Sequence, residues 1–274
     1  MLELSTMTLA ADFAARGWAV IDLRDPGVAT DIGARLLGWL RAGPLPDLDR
    51  LHEYHLHVVD GEHDRVHYEL AAWYWGQGLG RRIIASELEF LRAFVGLDLH
   101  VQRYPYLRVA RPHQPADVTG LHRDLLYGAS PFEISMVVPF TDLDADSALR
   151  VLSGSHTEPA SSYPATRVES TEVTQGSPRH LLGFPYAPQI LSDDVAARTE
   201  PVPLRVGQAL LMSLGLVHGQ TVNASTATRF TTDVRVVNSL APTAFARGVR
   251  EDYYEPLCAS PVTEQARRQL AADR

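Results

Sequence analysis

The chain has 274 residues, 45% hydrophobic and 21% charged, and 33 acidic against 25 basic residues give a formal net charge of -8. This is the composition of a globular protein with ample chain for a core, and the acidic balance offers no footprint for a phosphate backbone or an anionic membrane surface, so neither nucleic acid nor membrane is expected as a partner. All 25 basic residues are arginine, so no ε-amino group exists for a Schiff base, a pyridoxal phosphate anchor or a P-loop.

The first elements read as an α/β preface: a helix around Ala10–Arg16, a strand Trp18–Leu23 and a helix Ala29–Arg41 with Ile32, Leu36, Leu37 and Leu40 on one side. Residues His52, His55, His57, His63 and His67 lack a repeated ligand spacing and stand among Glu53, Asp60, Glu62 and Asp64, which reads as a solvated strand-loop or a substrate-facing flap. Glu69–Phe94 carries a helical pattern broken at Gly76, Gly78 and Gly80, giving two packed helices. The α-rich part thus covers residues 1–97.

Beyond Asp98 the pattern changes to short strands: Leu99–Val109, Thr119–Leu125, Glu133–Phe140, Leu149–Ser153, Leu204–Ser213 and Arg229–Asn238. The series implies an antiparallel sandwich or barrel with the early helices on one sheet, in one domain spanning 1–274. The interval Thr157–Pro203, rich in Pro, Ser, Thr and acidic residues, is a candidate lid insertion.

No apolar run approaches the roughly 18 residues of a membrane span. Glu3 and Asp12 stand where a signal peptide would be basic. Cys258 is the single cysteine, which excludes an internal disulfide and suits a reducing, cytoplasmic setting. A metal must therefore be held by histidines and carboxylates.

Such a set is present. His122 and Asp124, two apart in an expected strand, leave the same face about 7 Å apart at their Cα atoms. His218 follows the strand ending at Ser213, where a barrel rim can return it to the pair. Two histidines and one carboxylate form the facial triad of non-haem iron(II), with positions left open. Arg229 opens a strand whose alternation places Arg229, Thr231, Asp233 and Arg235 on one polar face. A guanidinium facing a barrel interior needs an anion, and its planar fork suits a carboxylate.

With His122-x-Asp124, the distal His218 and Arg229 eleven residues beyond, the chain resembles the phytanoyl-CoA dioxygenase superfamily of Fe(II)/2-oxoglutarate oxygenases. The Gly154-Ser155-His156 turn and the entry through Asp12-Phe13-Ala14 into Gly17-Trp18-Ala19-Val20-Ile21 are similar to that family's. Tyr104-Pro105-Tyr106-Leu107-Arg108 and Tyr127-Gly128-Ala129-Ser130-Pro131 resemble its orthosomycin and hygromycin tailoring oxygenases of carbohydrate and aminoglycoside clusters.

The resemblance implies a mainly β, double-stranded β-helix (cupin-like jelly roll) that binds iron through His122, Asp124 and His218. It implies 2-oxoglutarate and O2 as co-substrates, with Arg229 on the 5-carboxylate. Many relatives carry Ser two residues after the distal histidine. Here Gln220 stands there, and Gln220 or Thr221 is left to fill the role. Arg108, sharing a strand face with Tyr104 and Tyr106, is the preferred partner of the 1-carboxylate.

A carboxylate at position 124 leaves no place for a halide, so oxygenation or oxidative cyclisation is expected. The specific expectation is orthoester formation on a sugar-containing small molecule, an acidic protein attracting a polycationic aminoglycoside more readily than an anionic thioester. Plain hydroxylation of another metabolite, or a non-oxidative cupin-type metal protein without need of Arg229, are the alternatives. The oligomeric state stays open.

Overall fold

The computed structural model describes residues 2–166, 173–174, 176–184, 188–241 and 252–272. Helix α1 (Leu2–Arg16) enters strand β1 (Trp18–Asp22) through Gly17, whose φ of 81° lies in the left-handed region. A Cβ at Gly17 would sit 2.5 Å from the His156 ring, so the entry turn and the Gly154-Ser155-His156 turn pack on each other. His156 Nε2 lies 3.1 Å from the Ala14 carbonyl, a structural contact.

Helix α2 (Pro26–Ala42) starts where the Asp25 carboxylate accepts from Gly27 N–H and a proline takes the first helical position. Its Val28, Ile32, Leu36 and Leu40 recur every four residues and form the buried stripe. The histidine-rich run differs from expectation. It is helical, in α3 (Tyr54–His57) and α4 (His63–Gly76), and His63 and His67 are 2% and 1% exposed. Spacing of four residues puts both on the inner face of α4 with Val66, Leu70 and Tyr74, and this apolar register outweighs the acidic neighbours. The expected pair of helices that follows is a trio, α4, α5 (Leu79–Ser86) and α6 (Leu88–Phe94), broken at the left-handed Gly78 and at Glu87.

The expected strand Leu99–Val109 is two, β2 (Leu99–Gln102) and β3 (Tyr106–Ala110), divided around Pro105, which has no N–H for a ladder. Then come β4 (Glu133–Pro139), β5 (Leu149–Leu152), α7 (Pro178–Leu181), α8 (Asp193–Arg198) and β6 (Glu200–Val202). Strands β7 (Gln208–Ser213), β8 (Val217–Gly219), β9 (Arg229–Asn238) and β10 (Tyr254–Cys258) and helix α9 (Pro261–Ala272) complete the order. Among the described residues no helix is long and apolar enough to cross a membrane.

The larger sheet runs β1-β7-β4-β9-β2-β10, with β3 on the first half of β9, and the smaller runs β6-β5-β8. The described pairings are antiparallel. Between the sheets pack Trp18, Val137, Leu210 and Met212 from the larger and Leu149, Val151 and Val202 from the smaller. The outer face of the larger sheet, with Met136, Val138, Phe230, Val234 and Val236, packs on α2, α4 and α5. This is a jelly roll with helices covering one sheet.

Strand β9 shows why the site falls where it does. Phe230, Val234 and Val236 face the helices, each fully buried and worth about 2 kcal/mol. Period-two alternation then forces Arg229, Thr231, Asp233 and Arg235 into the space between the sheets. The apolar face fixes the register, and the register aims the polar one.

Candidate active site

Thr119–Leu125 is not a strand. His122 makes one isolated bridge with His218, and Asp124 begins a single-turn 3₁₀ helix, Asp124–Tyr127, ended by Gly128 at φ 86°. The His122 and His218 segments are clamped by His122 N–H to His218 O (2.8 Å), His218 N–H to His122 O (2.9 Å) and Gln220 N–H to Thr119 O (2.8 Å). Between the ligands Arg123 turns the other way and donates to the Gly215 and Glu158 carbonyls. Ser155 Oγ accepts from Val217 N–H at 2.8 Å, so the Gly154-Ser155-His156 turn anchors the strand that carries His218.

His122, Asp124 and His218 offer ligand atoms that all lie within 4.8 Å of one another, and all three are buried. His122 Nδ1 lies 2.7 Å from Gly120 O and His218 Nδ1 lies 3.0 Å from Leu216 O. With Nδ1–H donating to those carbonyls, each Nε2 lone pair is left for a cation. Nε2 of His122 lies 3.7 Å from Asp124 Oδ1, and Nε2 of His218 lies 3.9 Å from Asp124 Oδ2. Burial, then the neighbouring His218, lowers the His122 pKa to about 3, which keeps its ring neutral as a ligand must be. Asp124 Oδ2 is buried without a hydrogen-bond partner among the described residues. This donor set fits a divalent metal.

Beside the triad the inner wall is cationic. Arg108 faces Thr231 in the β3–β9 register, so Arg108, Arg229 and Arg235 share that wall with Asp233, and Asp124 meets it from the opposing segment. Arg229 is 4% exposed and donates to Ser147 O at 3.2 Å, and its Nε and the neighbouring Thr231 Oγ1 have no hydrogen-bond partner among the described residues. Burial, then the nearby Arg108 cation, loosens its hold on its proton. In the amide orientation that satisfies both groups, Gln220 Oε1 accepts from Arg229 Nη1 (3.2 Å) and Nη2. Thr221 is exposed. Arg108 donates to Leu182 O at 3.0 Å, lies over the Tyr106 ring and feels the charges of Asp233 and Asp124.

The buried histidine–aspartate–histidine set and Arg229 lie within a stretch that matches a known family in sequence. The model of the phytanoyl-CoA dioxygenase (PhyH) family covers residues 62–231. The chain belongs to the phytanoyl-CoA dioxygenase family. It is thus a 2-oxoglutarate-dependent non-haem iron oxygenase, with Fe(II) and 2-oxoglutarate as cofactors.

No curated protein matches this phytanoyl-CoA dioxygenase family member. Among solved structures it is similar to the non-haem monooxygenase ThoJ in its apo form, with TM-score 0.59 and 18% identity over 92% of this chain and 84% of that one. EvdO2 from Micromonospora carbonacea var. aurantiaca gives 0.57 and 17% over 90% and 95%. The α-ketoglutarate-dependent epimerase SnoN from nogalamycin biosynthesis gives 0.53 and 13% over 93% and 99%. These likenesses show the shared fold.

The residues that sequence reasoning singled out as ligands converge. Arg235, which the sequence places on the polar face of its strand, has Nη2 2.8 Å from Asp124 Oδ1. Sequence reasoning did not find Gly219, whose Cβ would meet Gly120 O at 2.7 Å, or Ser155 as the anchor of β8. A glycine directly after a ligand histidine is a readable signal for close backbone approach.

Proposed function

We propose that this oxygenase acts on a sugar-containing natural product and closes a ring oxidatively, as in orthoester formation in aminoglycoside or orthosomycin antibiotic assembly. Iron(II) is held by His122 Nε2, Asp124 and His218 Nε2. Arg229, oriented by Gln220 rather than Thr221, receives the 5-carboxylate of 2-oxoglutarate, and Arg108 the 1-carboxylate. When bound, iron(II) and 2-oxoglutarate supply the oxidation: one oxygen atom of O2 ends in succinate as CO2 leaves, and the other in hydroxylated product or, on ring closure, in water.

The observation that carries the cofactor reading is the buried Arg229, whose Nε has no partner among the described residues, in the same barrel interior as the triad. For the substrate, support comes from the Tyr106 and Tyr253 hydroxyls, 3.4 Å apart, near Arg235. Such aromatic and hydroxyl-bearing groups suit sugar rings. The interval Thr157–Pro203 reaches this place through Leu182 and Phe184, which supports its reading as a lid. Overall acidity does not extend to the wall itself, where Arg108, Arg229 and Arg235 stand against Asp124 and Asp233. Within the proposed class this favours a neutral or acidic sugar over a polycation.

Incubation with iron(II), 2-oxoglutarate, O2 and a panel of neutral, acidic and polycationic saccharides and acyl-CoA esters tests the reading. Succinate formed in step with a product lighter by two hydrogens supports ring closure. A product heavier by one oxygen points to hydroxylation, and turnover confined to acyl-CoA esters overturns the sugar assignment.

A further inference from the structure

The two histidines of the triad are held by the backbone, but Asp124 sits at the head of a single-turn 3₁₀ helix outside both sheets. What fixes its carboxylate comes from the opposite wall. Arg235 lies on β9 and pairs with Ser135 of β4, and its N–H donates to Gln102 Oε1 at 3.1 Å. From this rigid base its Nη2 reaches Asp124 Oδ1 at 2.8 Å, with both side chains buried or nearly so. One carboxylate oxygen is engaged by the guanidinium, and the other, Oδ2, has no hydrogen-bond partner among the described residues.

We propose that Arg235 is a positioning residue: it pins Asp124 Oδ1 and thereby presents Oδ2 alone to the metal, completing for the carboxylate what the Gly120 and Leu216 carbonyls do for the two imidazoles. A carboxylate held in this way contributes one oxygen and leaves the remaining positions to 2-oxoglutarate and O2. The inference rests on the reading of Asp124 as a metal ligand.

The sign of the effect separates positioning from mere charge. A cation beside a metal site repels the metal, so removing Arg235 only as a charge would tighten metal binding. Removing it as a positioner loosens binding, because Asp124 swings free.

Co(II) titration of the metal-free protein, followed by calorimetry and by the visible d–d spectrum without 2-oxoglutarate, reads this directly in Arg235→Gln and Arg235→Lys. The expected result is a roughly tenfold weaker dissociation constant and shifted d–d bands in Arg235→Gln, with Arg235→Lys between it and the parent. Thermal melting of each metal-free variant checks that the fold is kept. Arg235→Lys carries the test if Arg235→Gln does not fold.

Unchanged or tighter Co(II) binding would overturn the proposal. So would an unchanged Co(II) spectrum with only 2-oxoglutarate affinity reduced, since Arg235 would then act on the co-substrate. Asp124→Ala distinguishes the two levels. If it binds Co(II) like the parent, the ligand reading itself fails. If it loses Co(II) while Arg235→Gln does not differ from the parent, only the present inference fails.

Discussion

Gly219 lies against Gly120 so closely that a Cβ on it would stand 2.7 Å from the Gly120 carbonyl oxygen and 2.8 Å from Leu121 Cα. That approach lets the His122 and His218 segments exchange two backbone hydrogen bonds and brings the two rings to 4.4 Å between centroids. Backbone atoms on the opposing segment cannot rotate away as a side chain could. Gly219→Ala is therefore expected to destabilise the protein by about 1–3 kcal/mol and to weaken metal binding by a larger factor than Ala substitution elsewhere on β8's rim. Thermal melting with and without Co(II) measures both. An unchanged metal-induced shift in melting temperature would contradict the clamp.

Arg229→Ala is expected to leave metal binding nearly intact and to weaken 2-oxoglutarate by roughly 30-fold or more, the equivalent of about 2 kcal/mol for a charge-assisted pair. Gln220→Ala should give a smaller loss, because Gln220 orients Arg229 rather than replacing its charge. Thr221→Ala, at an exposed position, should have no effect. Equilibrium binding of 2-oxoglutarate under anaerobic conditions ranks the three variants, and a larger effect at Thr221 than at Gln220 would reverse the assignment.

Stability should fall in mild acid. Burial lowers the pKa of His63 to about 4, against a partial offset from Asp117, and that of His67 to about 3. Both lie below the unfolded value of about 6.5. The unfolded chain therefore takes up protons first as pH drops. The contribution is complete above about pH 6.5 and is lost as pH falls toward 4 for His63 and 3 for His67, at a cost on the order of 2 kcal/mol each by pH 5. Urea unfolding of the metal-free protein at pH 7.5 and pH 5 checks this. Equal stabilities would mean that these histidines open to solvent in the folded state.

Which residues gather at the candidate site was more legible than the local geometry. His122, Asp124, His218 and Arg229 are read from residue type and spacing, and β9 from its alternation, because its apolar half is buried on helices and its polar half faces inward. The segment Thr119–Leu125 reads as a strand through its alternating residues, yet it meets the His218 segment in one isolated bridge and Ile190 N–H in a single hydrogen bond to Leu121 O, and it turns at Asp124 before a ladder can extend. The burial of His63 and His67 was obscured by the acidic residues around them, although their four-residue spacing in line with Leu70 and Tyr74 carried the helical signal. The Arg235–Asp124 contact joins residues 111 positions apart in sequence by the fold alone, and nothing local in the sequence selects it from the other arginines.

The most direct test of the account is to add Fe(II) and 2-oxoglutarate to the metal-free protein without oxygen and record the visible spectrum. The account expects the charge-transfer band of an iron-chelated 2-oxo acid, absent in His218→Ala and shifted to higher 2-oxoglutarate concentration in Arg229→Ala. Iron bound at this site with no such band at saturating 2-oxoglutarate would contradict the central claim that the triad and Arg229 together form an iron and 2-oxoglutarate site.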